Sequence, residues 1–252
     1  MNQKNISKVL LATGIAASSL FFVGSATSVA ATTSTSNTQQ VNYAVFEEYG
    51  KKWLASLNAD QKNAITYYTG QNYTDINYYL RSNKKTTLPG SSISKAELDK
   101  KISFIDSAIN KATLQEDITV YRNTGEQELN AAKDFLQHTF GLDLNSLDGI
   151  KDFDKYINKA ISLVNNSINK TNTALAYTST SLQKNGVFSG SAIRMEIKVP
   201  KGTHAPYVDS ISKYKGEKEL LLPRGSKFKI IGASTIQENG HNILVIRATL
   251  VS

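Results

Sequence analysis

Three short elements carry residue types that can do chemistry. Arg122 ends the run DITVYR, the triplet Ser179-Thr180-Ser181 ends ALAYTSTSL, and Glu217-Lys218-Glu219 opens the run ELLLP. A carboxylate beside a reacting centre takes up a proton or steadies a developing positive charge. A guanidinium fork suits phosphate oxygens. Each element is weak alone. An arginine at a strand end is commonly solvated, short serine–threonine runs and E-x-E recur in many chains, and Glu217 and Glu219 read equally as a solvated charge pair at a strand entrance. If the segment is extended, the two glutamates share one side and Lys218 faces the other.

Helices dominate the pattern upstream of these elements. Val45, Tyr49, Trp53 and Leu57 recur at helical spacing, and Asn58 with Gln61 forms a capping-box signature for a second helix that turns Ala64, Ile65 and Tyr68 inward. Residues 75–81 read as a short third helix, ended by the break at LPG, 88–90. Ser94 and Glu97 form a second capping box before the apolar stripe of Leu98, Ile102, Ile105 and Ile109. Segments 127–140 and 153–168 are also helical in pattern. Strand-like runs occupy 118–121, 174–179, 193–199, 219–222, 228–231 and 243–250, with Asn239-Gly240 as a hairpin turn between the last two. Helices first and strands later predict an α+β domain. The Asn/Lys-rich stretch 165–173 has no separate core on either side.

Composition narrows the chemistry. The chain has 252 residues and no cysteine, so disulfides and thiolate zinc sites are excluded. His138, His204 and His241 are scattered and do not fall at metal-ligand spacing, which argues against a metal. Lys4 and Lys8, the apolar run from Val9 to about Gly24 and the small residues Val29, Ala30 and Ala31 have the layout of a signal peptide over residues 1–31, cleaved near Ala30/Ala31. Residues 32–40 are rich in Ser, Thr, Asn and Gln and read as a disordered mature N-terminus. About 210 residues, 41–252, remain for a single domain. Removing Lys4 and Lys8 from the formal charge of +8 leaves +6. The lysines are dispersed with no interleaved aromatics, so nucleic acid is not the expected partner. No later apolar stretch is long enough to span a membrane, so stable insertion is not expected.

In this order and on strand edges, Arg122, the Ser179 triplet and Glu217-x-Glu219 resemble the arginine, STS and [Q/E]-x-E set of the bacterial mono-ADP-ribosyltransferase toxins. LRSN around Arg81 is similar to the family's helix-borne second NAD-binding arginine, and FSG at Phe188 to its phosphate–nicotinamide loop. KVPKGTHAPYVDSIS followed by YKGEKELLLPRGSKF resembles its strand, target-recognition loop and catalytic strand. The resemblance runs from Phe46 to Val251, is specific from Ala174 onward, and is nearest to the clostridial Rho-modifying exoenzymes and the catalytic halves of actin-modifying binary toxins. It implies a mixed β-sheet or β-sandwich transferase core with an N-terminal helical bundle packed on it. It implies NAD as co-substrate, no metal, and a monomeric toxin that is secreted and acts in the host cytosol. Its target would be a host protein such as actin or a small GTPase.

The same resemblance assigns roles. Breaking the nicotinamide–ribose bond of NAD makes an oxocarbenium-like cation, as in glycoside hydrolysis, and Glu219 would stabilise it in the transition state. Ser179 would hold that carboxylate and help line the NAD site. Arg122 and Arg81 would bind the pyrophosphate, Phe188 would pack on the nicotinamide end, and Tyr214 would dock on the target. Glu217 bears on the acceptor. In the family, E-x-E accompanies arginine targets, and Q-x-E accompanies the asparagine of Rho GTPases. Glutamate here favours arginine, while the single-domain size and the rest of the sequence look more like the asparagine-modifying exoenzymes. NAD hydrolysis by water and a non-catalytic binding domain are the further readings. One position departs from the family pattern: Ser191 stands where an arginine commonly follows the loop phenylalanine, and the next arginine is Arg194.

Overall fold

Capping and apolar spacing account for the first half of the molecule. The computed structural model describes residues 41–124, 134–185, 192–238 and 240–251. Helices α1 (Tyr43–Ala55), α2 (Ala59–Tyr68), α3 (Tyr73–Arg81) and α4 (Lys95–Ile109) lead the chain. The α2 capping box is closed in both directions between Asn58 and Gln61, at 3.0 and 2.9 Å. Ser94 and Glu97 do the same for α4. Each reciprocal pair satisfies two amides that have no partner within the helix. The α4 stripe of Leu98, Ile102, Ile105 and Ile109 is buried throughout. Helix α1 is rotated from the expected stripe. Val45 is 54% exposed, and the buried face is Phe46, Gly50 and Trp53. Gly50 explains the rotation: a Cβ there would lie 2.8 Å from the Tyr207 ring and carbonyl, so only this face can approach so closely. Trp53 Nε1 donates to the Ala108 carbonyl at 2.8 Å and ties α1 to α4.

The second half supplies the strands. They are β1 (Ile118–Thr124), β2 (Thr171–Thr173), β3 (Thr178–Ser181), β4 (Ile193–Val199), β5 (Glu219–Leu222), β6 (Lys227–Glu238) and β7 (His241–Val251). They form one mixed sheet in the order β2-β6-β7-β4-β1-β3-β5. β4 and β7 are parallel and the other pairs antiparallel. β1 meets β3 only at Tyr121↔Ser181, so the β3–β5 pair is a lightly joined wing of the sheet. Helices α5 (Asp134–Phe140) and α6 (Phe153–Asn165), with a 3-10 turn at Asn145–Leu147 between them, complete the described elements. Residues 127–133 of the expected helix, and Asn239 of the expected hairpin turn, lie outside the described residues.

β1 runs three residues past its expected end and β7 is longer than expected at both ends, and three further differences have identifiable reasons. Residues 174–177 are not in the ladder, because Ala174 exchanges backbone bonds with Gly225 and Ser226 instead. β2 pairs with β6 inside the stretch read as linker, and its Thr-Asn-Thr sequence has no apolar alternation to announce it. β6 begins one residue earlier than expected and runs on to Glu238, closing on β7 at Glu238↔His241, with Gly240 at φ +79°.

Two apolar layers flank the sheet. One packs Leu136, Phe140, Ile157 and Val164 of α5 and α6 against residues including Val120, Met195, Phe228 and Ile246. The other packs the α1–α4 helices against Tyr177, Val208 and Leu221. β5 is buried along its length and divides between them, with Leu220 and Leu222 in the first layer and Leu221 in the second. Side chains alternate across a strand, so Glu219 shares the helix-facing side with Leu221. Asp106 of α4 locks this wing in place. It accepts Arg224 Nε at 3.0 Å and Nη2 at 2.7 Å, and the Tyr177 hydroxyl at 2.6 Å.

Candidate active site

Glu219 sits at the first position of β5 and is only 4% exposed. The Ser179 hydroxyl donates to its Oε1 at 2.6 Å from the neighbouring strand β3, and the Ser212 hydroxyl is a second partner. Burial pushes the Glu219 carboxyl up to about 7. The two serine hydroxyls oppose that shift, and the nearby Glu217 and Asp209 charges add to it. The hydroxyls of the other two members of the triplet serve the backbone. Thr180 Oγ1 donates to the Leu220 carbonyl and Ser181 Oγ to the Glu217 carbonyl, each at 2.7 Å. All three side chains of the triplet therefore hold the E-x-E segment.

That segment is not extended. Lys218 has φ +52°, a left-handed backbone costing roughly 1–2 kcal/mol for a residue with a Cβ. The expected alternation about Lys218 thus fails, because β5 starts only at Glu219. The Lys218 ammonium reaches Glu47 of α1 at 3.1 Å. Glu217 is half-buried on the turn before the strand. Burial, and then the Asp209 charge, raise its carboxyl above the usual range.

Two of the predicted arginines converge on the same region. Arg122 Nη1 donates to the Ser179 carbonyl at 3.0 Å, linking β1 to the strand that anchors Glu219. Arg81 closes α3 and is half-buried. The phenol of Tyr68, raised by burial, lies within electrostatic reach of Glu219, Arg122 and Arg81 together. Asn77 Nδ2 donates to that phenol at 3.1 Å. Tyr214 is 48% exposed and borders a cavity of about 540 Å³ with Tyr67, Gly70, Asn72 and Lys213. Phe188 and Ser191 lie outside the described residues. Arg194 is accounted for elsewhere: it is 2% exposed, pairs with Glu238, and donates to Asn123 and Asn185 at 3.3 and 3.1 Å. It does not stand in for the missing loop arginine.

The sequence reading did not single out Tyr68, Ser212 or Asp209. Tyr68 has the pattern of an ordinary core residue. Ser212 and Asp209 lie in the recognition-loop run, where nothing distinguishes them from solvated turn residues. Chemically, the cluster offers two guanidinium groups for phosphate oxygens and a buried carboxylate that titrates near neutrality. A second, less buried carboxylate stands beside it.

A family model described as ADP-ribosyltransferase exoenzyme matches residues 46–252. The chain belongs to that family. The chain is 33% identical over 188 residues to Mono-ADP-ribosyltransferase C3 of Hathewaya limosa, covering 72% of this chain and 67% of that protein. Its fold is similar to that of Plx2a, an ADP-ribosyltransferase toxin from Paenibacillus larvae, with TM-score 0.65 and 32% identity over 83% of this chain and 94% of that one. It is also 29% identical over 179 residues to NAD(+)--arginine ADP-ribosyltransferase EFV of Enterococcus faecalis, covering 71% of this chain and 30% of that protein. The protein is an NAD-dependent protein mono-ADP-ribosyltransferase of α+β architecture.

Proposed function

We propose that this protein transfers ADP-ribose from NAD to an arginine of a host protein and releases nicotinamide. The observation that carries the acceptor choice is Glu217, half-buried, with its proton affinity raised by burial and by Asp209. A guanidinium has a pKa above ~12 and must lose a proton as it becomes a nucleophile. A carboxylate with raised proton affinity is the better base for that transfer.

The reaction follows from the placement of the groups. The bond between nicotinamide nitrogen and ribose C1′ breaks, and its electron pair leaves with nicotinamide. Glu219 lies against the positive charge left on the ribose, in a water-poor setting that strengthens the attraction. The acceptor nitrogen then bonds to C1′ and passes its proton to Glu217. Arg122 and Arg81 hold the pyrophosphate, Phe188 contacts the nicotinamide end, and Tyr214 docks on the acceptor protein. With no acceptor present, water takes the same position and NAD is hydrolysed.

A second reading, transfer to an asparagine of a Rho-type GTPase, is favoured by the likeness to the C3-type relative. In either case residues 1–31 direct export and are then removed near Ala30/Ala31. Residues 32–40 then form the mature N-terminus of a monomeric catalytic domain, 41–252, that acts in the host cytosol. Incubation of the mature protein with labelled NAD and host-cell lysate is expected to label one or a few proteins. Neutral hydroxylamine is expected to release the label. A hydroxylamine-stable adduct overturns the arginine assignment in favour of the asparagine one.

A further inference from the structure

We infer that Asp209 is a positioning residue for acceptor transfer: its carboxylate closes the base of the loop 209–218 and fixes Glu217 in place. The inference rests on Glu217 acting on the acceptor, as proposed above.

The loop leaves a segment paired alongside β5 and leads into β5 itself. On its entry side, Val208 N donates to the Glu219 carbonyl at 3.0 Å and Leu221 N to the Pro206 carbonyl at 3.1 Å, so residues 206–208 lie alongside β5. Asp209 is the first residue beyond that contact, and Lys218 is the last before β5 begins. Asp209 Oδ1 accepts from Lys218 N at 2.9 Å and from Gly216 N at 3.0 Å. One carboxylate oxygen thereby joins the two ends of a ten-residue excursion, the closed geometry of an Ω-loop. The two amides it holds flank Glu217, and both their residues have positive φ, +90° at Gly216 and +52° at Lys218. Glycine adopts this conformation freely, but Lys218 carries a Cβ and does not, and the charge-assisted bonds to Asp209 hold the turn there.

Glu217 and Glu219 differ in how they are held. Glu219 has β5 pairing, the Ser179 hydroxyl at 2.6 Å and the Ser212 hydroxyl. Glu217 has the Ser181 bond to its own carbonyl and the Asp209 bonds on either side. Loss of Asp209 therefore frees the direction of Glu217 while Ser179 still holds Glu219. The separation has a kinetic signature: transfer to protein falls, and NAD hydrolysis, which needs Glu219 and no acceptor, stays.

Asp209→Ala and Asp209→Asn, compared in the mature protein for both activities, test this. Asparagine keeps a carbonyl oxygen for the two amides and alanine does not. In Asp209→Ala, kcat for transfer is expected to fall on the order of tenfold or more, part of the roughly 10²–10⁴ that a positioned base supplies. NAD hydrolysis and the KM for NAD, compared above about pH 8 where Glu219 is ionised with or without the Asp209 charge, are expected to stay within about twofold. Asp209→Asn is expected to recover most of the transfer. If the alanine variant fails to fold, Asp209→Thr replaces it, filling the space with a hydroxyl one bond too short to bridge both amides. Unchanged transfer in these variants, or equal loss of transfer and hydrolysis, overturns the inference.

Glu217→Gln run alongside separates the two levels of the account. Normal transfer in Glu217→Gln sinks the reading of Glu217 itself. Impaired transfer there, together with normal transfer in Asp209→Ala, sinks only the role of Asp209. Adding Asp209→Ala to Glu217→Gln is expected to cost little more transfer than Glu217→Gln alone, because coupled residues are not additive.

Discussion

The Ser179 hydroxyl and the Glu219 carboxylate meet at 2.6 Å across the β3–β5 ladder, in a setting from which water is largely excluded. This bond opposes the burial that raises the Glu219 carboxyl to about 7. Hydrogen bonds to charged groups are worth about 1.5–3 kcal/mol, or roughly one to two pKa units. Ser179→Ala is therefore expected to raise the carboxyl further. The acid limb of the NAD hydrolysis profile moves to higher pH, with about five- to fiftyfold loss at pH 7. An unshifted acid limb contradicts this.

In the unaltered enzyme the same carboxylate sets the pH dependence. Only the ionised form of Glu219 stabilises a cation, so kcat/KM for NAD hydrolysis should fall about tenfold per pH unit below about 7. A profile flat to pH 5, measured by nicotinamide release, is incompatible with a buried Glu219 as the cation-stabilising group.

The site also lowers stability. The folded protein holds the Glu219 proton up to about pH 7, whereas an unfolded glutamate releases it near 4.5. The folded state thus binds more protons across this window, and stability falls as pH rises through it. Glu219→Gln removes the buried ionisation. It is expected to abolish activity yet stabilise the fold at pH 8 by on the order of 3 kcal/mol, with the gain vanishing near pH 4. Urea unfolding at the two pH values reads this directly, and a Glu219→Gln protein less stable than the parent at pH 8 contradicts it.

Helix propensity and packing disagree at Gly50, and packing should win. Alanine is favoured over glycine inside a helix by about 1 kcal/mol. Its Cβ would nonetheless lie 2.8 Å from the Tyr207 ring and backbone carbonyl. Gly50→Ala is expected to destabilise by about 1–3 kcal/mol in urea unfolding, as overpacking does. A stabilised variant contradicts the close approach of α1.

Arg194 tests the distinction between cofactor-binding and structural arginines. Its guanidinium is buried and paired with Glu238. Its removal leaves the partly exposed Glu238 and the Asn123 and Asn185 amides without their partner, a loss of about 1–3 kcal/mol. Arg194→Met should show that loss in unfolding, and an unaffected stability contradicts the structural role.

Much of this was legible from the chain. The capping boxes at Asn58 and Ser94 and the α4 stripe are local signals, and they form as read. The motif residues Arg122, Ser179 and Glu219 are brought together because strands β1, β3 and β5 are neighbours. What was not legible depends on distant partners. The rotation of α1 is set by Tyr207, 157 positions after Gly50, and β2 exists because β6 pairs with it. The left-handed Lys218 has no sequence mark, since it is held by the Asp209 carboxylate and not by a glycine. Tyr68 joins the site because α2 packs under the β3–β5 wing, which its spacing alone does not reveal.

The division of labour between the two glutamates is the central claim, and one paired measurement reaches it. Nicotinamide release and label transfer to host protein are followed together in Glu217→Gln and Glu219→Gln. The account predicts that Glu219→Gln loses both, while Glu217→Gln loses arginine transfer and keeps appreciable hydrolysis. Full activity in Glu219→Gln, or parallel loss of both activities in Glu217→Gln, would contradict it.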